Sequence, residues 1–143
     1  MSKTLVFLFA VLLVCPWLVS AQDHGAAVNA AEKSSQSWLA MVDAGQYGDS
    51  WDQAAAFFQS KVIKEKWERA LQSTRAPLGG VQSRQLTSAT YTTDLPNAPK
   101  GEYVVLQYRT SFTNMKPAVE TVTPMKEADG TWKVSGYFVR PAD

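Results

Sequence analysis

The chain has 143 residues, 45% of them hydrophobic and 19% charged, with a formal net charge of +1. Those values predict one globular domain with a real core and exclude the disordered class. Basic residues are scattered: Lys61, Lys64 and Lys66 form the one local cluster, diluted by Glu65 and Glu68. No basic stripe marks the chain for nucleic acid or an anionic membrane.

The N-terminus has a secretory pattern. Met1-Ser2-Lys3 is a short positive segment and Leu5 to Val14 an unbroken apolar run. That run is too short to span a bilayer comfortably. Val19-Ser20-Ala21 offers a small-residue cleavage site. The expectation is a signal peptide over 1–21, cleaved after Ala21, and one mature domain over 22–143. Such a chain is periplasmic or secreted and keeps no stable membrane anchor. Cys15, the single cysteine, leaves with the signal. A lipoprotein signal also ends at a cysteine, but needs a small residue where Val14 stands. The mature chain then has no disulfide, thiol nucleophile or thiolate metal site. That composition suits a bacterial periplasmic protein better than a small animal secreted domain, which leans on disulfides.

Gln22 to Ala27, which includes the single His24, reads as a frayed end. A helix follows over about 26–44, with Val28, Ala31, Ser35, Trp38, Leu39 and Val42 on one face and Gly45 as its stop. Asp49 is placed to N-cap a second helix whose stripe is Trp51, Ala54, Ala55 and Phe58. A third helix spans about 64–74, with Ile63, Trp67, Ala70, Leu71 and Thr74 inward. Pro77 and Gly79-Gly80 end it.

From Val81 the period changes to two. Val81 to Asp94 is rich in β-formers, but no single alternation fits it, which predicts a bulge or a partly exposed edge. Glu102 to Phe112 is the clearest strand. Val104, Leu106, Tyr108, Thr110 and Phe112 share one face; Tyr103, Val105, Gln107, Arg109 and Ser111 share the other. A strand over 118–127, a hairpin turn at Asp129-Gly130 and a last strand over 131–140 complete the chain. Trp132, Val134 and Phe138 are expected on one side of that strand. Helices followed by a meander predict an α+β fold: three N-terminal helices packed on a four-stranded twisted antiparallel sheet, cone-shaped where the sheet wraps the first helix.

Several stretches resemble a known family. They are Trp38 to Tyr47 with Ser50-Trp51, Lys64 to Trp67, Arg75 to Gly79, Ser83-Arg84, Ser88 to Thr93, Gly101 to Leu106, Val119 to Thr123 and Asp129 to Tyr137. They resemble the bacterial domain of unknown function numbered 4019 (DUF4019) over nearly the whole mature chain. Ile63 departs from the pattern, which has a Ser or Thr cap there. The resemblance implies an exported bacterial protein with a nuclear-transport-factor-2-like, cystatin-like fold. It brings no activity, substrate or catalytic set. The wider superfamily holds both isomerases and non-enzymatic binding or dimerisation domains.

The residues themselves narrow the chemistry. With no mature Cys, one terminal His and no clustered carboxylates, a metal site is not expected. A serine-hydrolase base and elbow are missing, as are phosphate-loop and dinucleotide motifs, so no cofactor is expected. Two readings of Arg109 and Glu120 stand side by side. One is a structural ion pair across neighbouring strands. The other is a pair pointing into a cavity with Tyr103 and Gln107, holding a polar ligand group, with Glu120 available as a base. The aromatics Trp38, Trp51, Phe58, Trp67, Tyr91, Trp132 and Phe138 read mainly as core and secondarily as a pocket lining.

Three functions follow from these readings. The first is a non-enzymatic exported domain binding a small ligand or an envelope protein. The second is an isomerase- or dehydratase-like enzyme with a pocket carboxylate, which rests on fold analogy. The third is a homodimerisation module pairing a sheet face that carries Tyr103, Val105, Tyr137 and Val139.

Overall fold

The computed structural model describes residues 24–143. The expected signal peptide, its cleavage site and Cys15 lie outside the described residues. Among the described residues the fold is α+β, an open four-stranded antiparallel sheet with four helices.

Helix α1 (Gly25–Asp43) buries Ala31, Ser35, Trp38, Leu39 and Val42, spacings of three and four that hold one face to the sheet. It touches all four strands. Gly45 takes φ +75, its N–H donates to the Val42 carbonyl, and the Gln46 N–H donates to the Met41 carbonyl. That pair of bonds is the Schellman ending that a glycine at this position permits. The start differs from the expected frayed end. His24 stacks on Tyr91 with ring centroids 3.7 Å apart and planes within 9°.

The expected second helix is two. Helix α2 (Tyr47–Asp52) and helix α3 (Ala56–Lys61) are separated at 53–55. Tertiary partners make the break favourable. The Ala55 N–H donates to the Val134 carbonyl at 2.8 Å. Gln59 Nε2 donates to the carbonyl of Asp52 and to that of Trp51, which also accepts from the Ala54 N–H. Glu127 Oε1 accepts from the Ala56 N–H at the start of α3. Asp49 lies within the first turn of α2, and Gln46 holds the N-cap position.

Helix α4 (Lys64–Thr74) buries Trp67 and Leu71. Ile63, expected inward, is exposed ahead of its first turn. A 3-10 turn at Ala76–Leu78 leads to Gly79. Helix α2 packs between α1 and α4. Ser50 is fully buried at that junction. Its carbonyl accepts from Trp38 Nε1 and its hydroxyl from Trp67 Nε1.

The strands are β1 (Val81–Thr92), β2 (Tyr103–Phe112), β3 (Ala118–Lys126) and β4 (Trp132–Pro141), ordered β1-β2-β3-β4. Strand β1 carries the expected irregularity: Leu86 pairs with Tyr108 and Ser88 with Gln107, so Thr87 is extra. The bulge between β3 and β4 has larger consequences. Val122 pairs with Tyr137 and Pro124 with Val134, so Ser135 and Gly136 together oppose Thr123. One extra residue reverses the facing of everything after it. Val134 is buried, yet Phe138, four residues on, is 71% exposed. Tyr137 and Val139 turn inward instead. The face expected for pairing with a twin is therefore differently composed. Of its four residues, Val105 faces outward, while Tyr103 is sealed by Ala55, Met125, Leu95 and Ala98.

The main core joins Trp38, Leu39, Val42, Trp67 and Leu71 of the helices to Val104, Leu106, Tyr108, Val122 and Val134 of the sheet. A smaller cluster of Leu78, Phe112 and Ala118, with Met115 and Val139, closes one end.

Candidate functional site

Beneath the helices, a chain of charges crosses the inner face of the sheet. Every strand contributes one member. Arg84 of β1 pairs in register with Thr110 of β2, Glu120 of β3 lies opposite Tyr108 one row on, and Tyr137 of β4 lies diagonal to it. Asp43 comes from the last turn of α1 and Arg75 from the C-cap of α4.

Glu120 is 0% exposed. Its Oε2 accepts from Arg84 Nε at 2.6 Å and Thr110 Oγ1 at 2.6 Å. Its Oε1 accepts from Tyr137 OH at 2.7 Å and Arg84 Nη2 at 3.1 Å. Four donors fill the acceptor capacity of a carboxylate. All of these partners lie within the protein. Burial pushes the Tyr137 hydroxyl well above its ordinary value, and the negative charge of Glu120 adds to that.

Arg84 turns its other edge to Asp43, donating from Nη1 at 2.7 Å and Nη2 at 3.0 Å. A planar fork with five donors suits two carboxylates at once. Burial would lower its pKa, but the two carboxylates outweigh burial and raise it. For Asp43 the largest single influence is burial, which raises the pKa. The bonds and charges of Arg84 and Arg75 together outweigh it, and the carboxyl titrates below its ordinary 3.8.

Arg75 ends the chain. Its side chain is 4% exposed. Nη2 donates to Asp43 Oδ1 at 3.0 Å and Nη1 to the Gly79 carbonyl at 2.8 Å. The guanidinium lies 4.5 Å from the centre of the Phe112 ring. Nε is buried and has no hydrogen-bond partner among the described residues. An unmet donor of that kind is rare in a folded interior.

Arg75 and Tyr137, the two ends of this network, both line one groove of about 310 Å³ between α4 and β4. Trp67, Ala70, Leu71 and Thr74 form the α4 wall. Tyr137, Phe138 and Val139 form the β4 wall, with Leu78 and Met115 beside them. The groove is apolar, with Arg75 the one charged residue among those that line it. This pattern, apolar walls with few polar groups, is typical of binding pockets.

The four residues expected at a site do not converge. Glu120 is in the buried network. Arg109 is exposed on the outer face, opposite Gln85 and Val119. Gln107 lies on that outer face, its Oε1 accepting from Ser88 Oγ at 3.3 Å. Tyr103 is fully buried elsewhere, its hydroxyl donating to the Pro99 carbonyl at 2.6 Å. Arg109 and Glu120 cannot pair, because one row of register puts them on opposite faces. The true partner, Arg84, sits in a Ser- and Thr-rich strand whose bulge hid its facing. Its one sequence signal is its parity with Leu86 ahead of that bulge. Among the described residues, no group of His, Cys, Asp and Glu has the proximity to hold a metal ion.

Comparison with curated proteins gives no match, and comparison with solved structures gives none. A protein-family model described as "Protein of unknown function (DUF4019)" matches residues 34–137, a span that contains every member of the charged network and nearly all of the groove wall, and the chain belongs to that family.

Proposed function

We propose that this protein is an exported, non-enzymatic binding domain, with a cone-shaped, nuclear-transport-factor-2-like wrap of its sheet around α1. Its ligand site is the groove between α4 and β4. The observation that carries this reading is the groove itself: mostly apolar walls between α4 and β4 with a single charged residue, Arg75, among those that line it. The remaining polar groups beneath the groove are committed to each other, which favours holding a ligand over transforming one. Export is supported by the positive start, apolar run and small-residue site within Met1 to Ala21. Among the described residues, no helix is long and apolar enough to cross a membrane.

Native mass spectrometry of the protein, isolated without refolding from the cells that make it, tests this reading. The expected species is the Gln22–Asp143 chain plus an extra mass that denaturation releases. Ala70→Trp, which fills the groove from an exposed position on α4, is expected to remove the extra mass and keep the fold. A chain retaining residues 1–21 would overturn export. An extra mass untouched by Ala70→Trp would move the ligand site elsewhere, and a bare chain would overturn binding. A homodimer is a second reading, favoured by Phe138, 71% exposed on the outer face of β4. It predicts a doubled mass that Phe138→Ser abolishes.

A further inference from the structure

The wall of the groove formed by β4 is also the free edge of the sheet. Strand β4 is last in the order, so among the described residues its outer side has no neighbouring strand. The Ala142 N–H donates to the Pro117 carbonyl, and Pro141 pairs in register with Ala118. Hydrogen-bonded and non-hydrogen-bonded pairs alternate along an antiparallel ladder. Phe138 and Arg140 therefore turn their main-chain groups toward β3, and Tyr137 and Val139 turn theirs away.

The two ends of this edge are treated differently. Beyond the Ser135–Gly136 bulge, the Val134 carbonyl accepts from the Ala55 N–H at 2.8 Å. The Trp132 carbonyl accepts from Ser34 Oγ at 2.7 Å. That end is covered, as natural sheets cover their edges. Among the described residues, nothing does the same for the outward main chain of Tyr137 and Val139. The bare stretch is the one that borders the groove.

We propose that the occupant of the groove is the C-terminal end of a protein partner, bound as an added strand on Tyr137–Val139 with its terminal carboxylate at Arg75. The inference rests on the groove being the binding site and names what fills it. Main-chain bonds to an edge strand, with side chains set into a neighbouring groove, are an established way to hold an extended peptide. Charge complementarity selects the carboxylate, because the one charged residue in the lining, Arg75, is a cation. Position selects the direction. Arg75 stacks on Phe112, whose cluster holds Leu78, Met115 and Val139. Trp67 lies beside Tyr137 at the other end. Strand β4 thus runs toward Arg75, and a carboxylate there makes the added segment parallel to β4. Two edge residues engage only a short segment, which suits a chain end.

Amide hydrogen exchange followed by NMR on the natively processed protein tests the proposal. The probe is a pool of random-sequence pentapeptides with free C-termini, set against the same pool amidated. The free pool is expected to slow exchange of the Tyr137 and Val139 amides by about tenfold or more, and the amidated pool much less. Val139→Pro removes an outward N–H without touching the ladder to β3. It is expected to abolish the slowing at Tyr137. Shifts at Leu71 and Met115 without slowing at the edge would overturn the added strand and leave the groove as a small-ligand site. Equal action of both pools would overturn the carboxylate at Arg75. No perturbation along the groove would overturn the peptide as occupant, and the native mass measurement decides the groove reading separately.

Discussion

Two carboxylates of this protein have similar partners and opposite surroundings. Glu120 accepts from a tyrosine, a threonine and an arginine, and is 0% exposed. Glu102 accepts from Tyr91 at 3.1 Å and Lys126 at 3.2 Å, and its side chain is 38% exposed. The contact lists look alike. The energetics do not, because water can replace any partner of Glu102 and none of Glu120. Burial makes the first cluster an all-or-none assembly that ties four strands to two helices. Exposure leaves the second a local latch between β1, β2 and β3.

The comparison breaks most sharply at Glu120. Glu120→Ala leaves Thr110, Tyr137 and one edge of Arg84 as buried donors without an acceptor. Removing one member of a buried pair costs about 3–5 kcal/mol. The low end, about 3 kcal/mol, is expected here because Arg84 keeps Asp43. Urea denaturation measures it, and a loss under about 1 kcal/mol would mean that water reaches the site.

Deleting a hydroxyl from each cluster is the next contrast. Tyr137→Phe removes a bond to a buried carboxylate and is expected to cost about 2 kcal/mol. Tyr91→Phe is expected to leave the denaturation midpoint where it is. Equal effects would erase the distinction drawn from burial.

Acid sharpens the comparison from another side. Asp43 titrates below its ordinary 3.8, because Arg84 and Arg75 outweigh its burial. A depressed carboxyl stabilises the fold fully above its unfolded pKa and loses that contribution as pH falls through the folded value. The stability gap between the parent protein and Asp43→Asn is expected to be widest at neutral pH and to close toward about pH 2. A gap independent of pH would show that Asp43 acts through shape alone. The smallest effect belongs to Glu102→Gln. Lys126, and secondarily Tyr91, hold its carboxyl below the usual range. Discounted for exposure, that is worth less than about 1 kcal/mol, and added salt should shrink it further.

Much of the fold was legible because it is written in local periodicity. The stripe of α1 from Ala31 to Val42, the limits of α4 and the glycine ending at Gly45 all depend on residues within a few positions of each other. That β1 is irregular was legible for the same reason, since no single phase fits it, although a bulge and a partly exposed edge remained alternatives and the position of the extra residue was not given. The break between α2 and α3 was not, because Ala54 and Ala55 are good helix formers. It is set by Val134 and Glu127, some seventy or more residues away. Phe138 was misplaced because Ser135 and Gly136 look like ordinary strand residues. Only Thr123 across the ladder makes them a bulge.

The site follows the same division. The sequence by itself determined that Glu120 lies on a strand beside β2 and that Thr110 faces the core. Apolar alternation on β2 and β3 suffices for that. It could not determine that Arg84, rather than Arg109, completes the pair. Both arginines lie in strands flanking the same row. Which one faces inward is decided by a one-residue register and by the bulge at Thr87, which have no local energetic signature. The groove and its buried Arg75 belong wholly to the tertiary structure. They exist because α4 stands beside the free edge of β4, and that spacing is set by the packing of Trp67 and Leu71 against the core formed by α1 and the sheet.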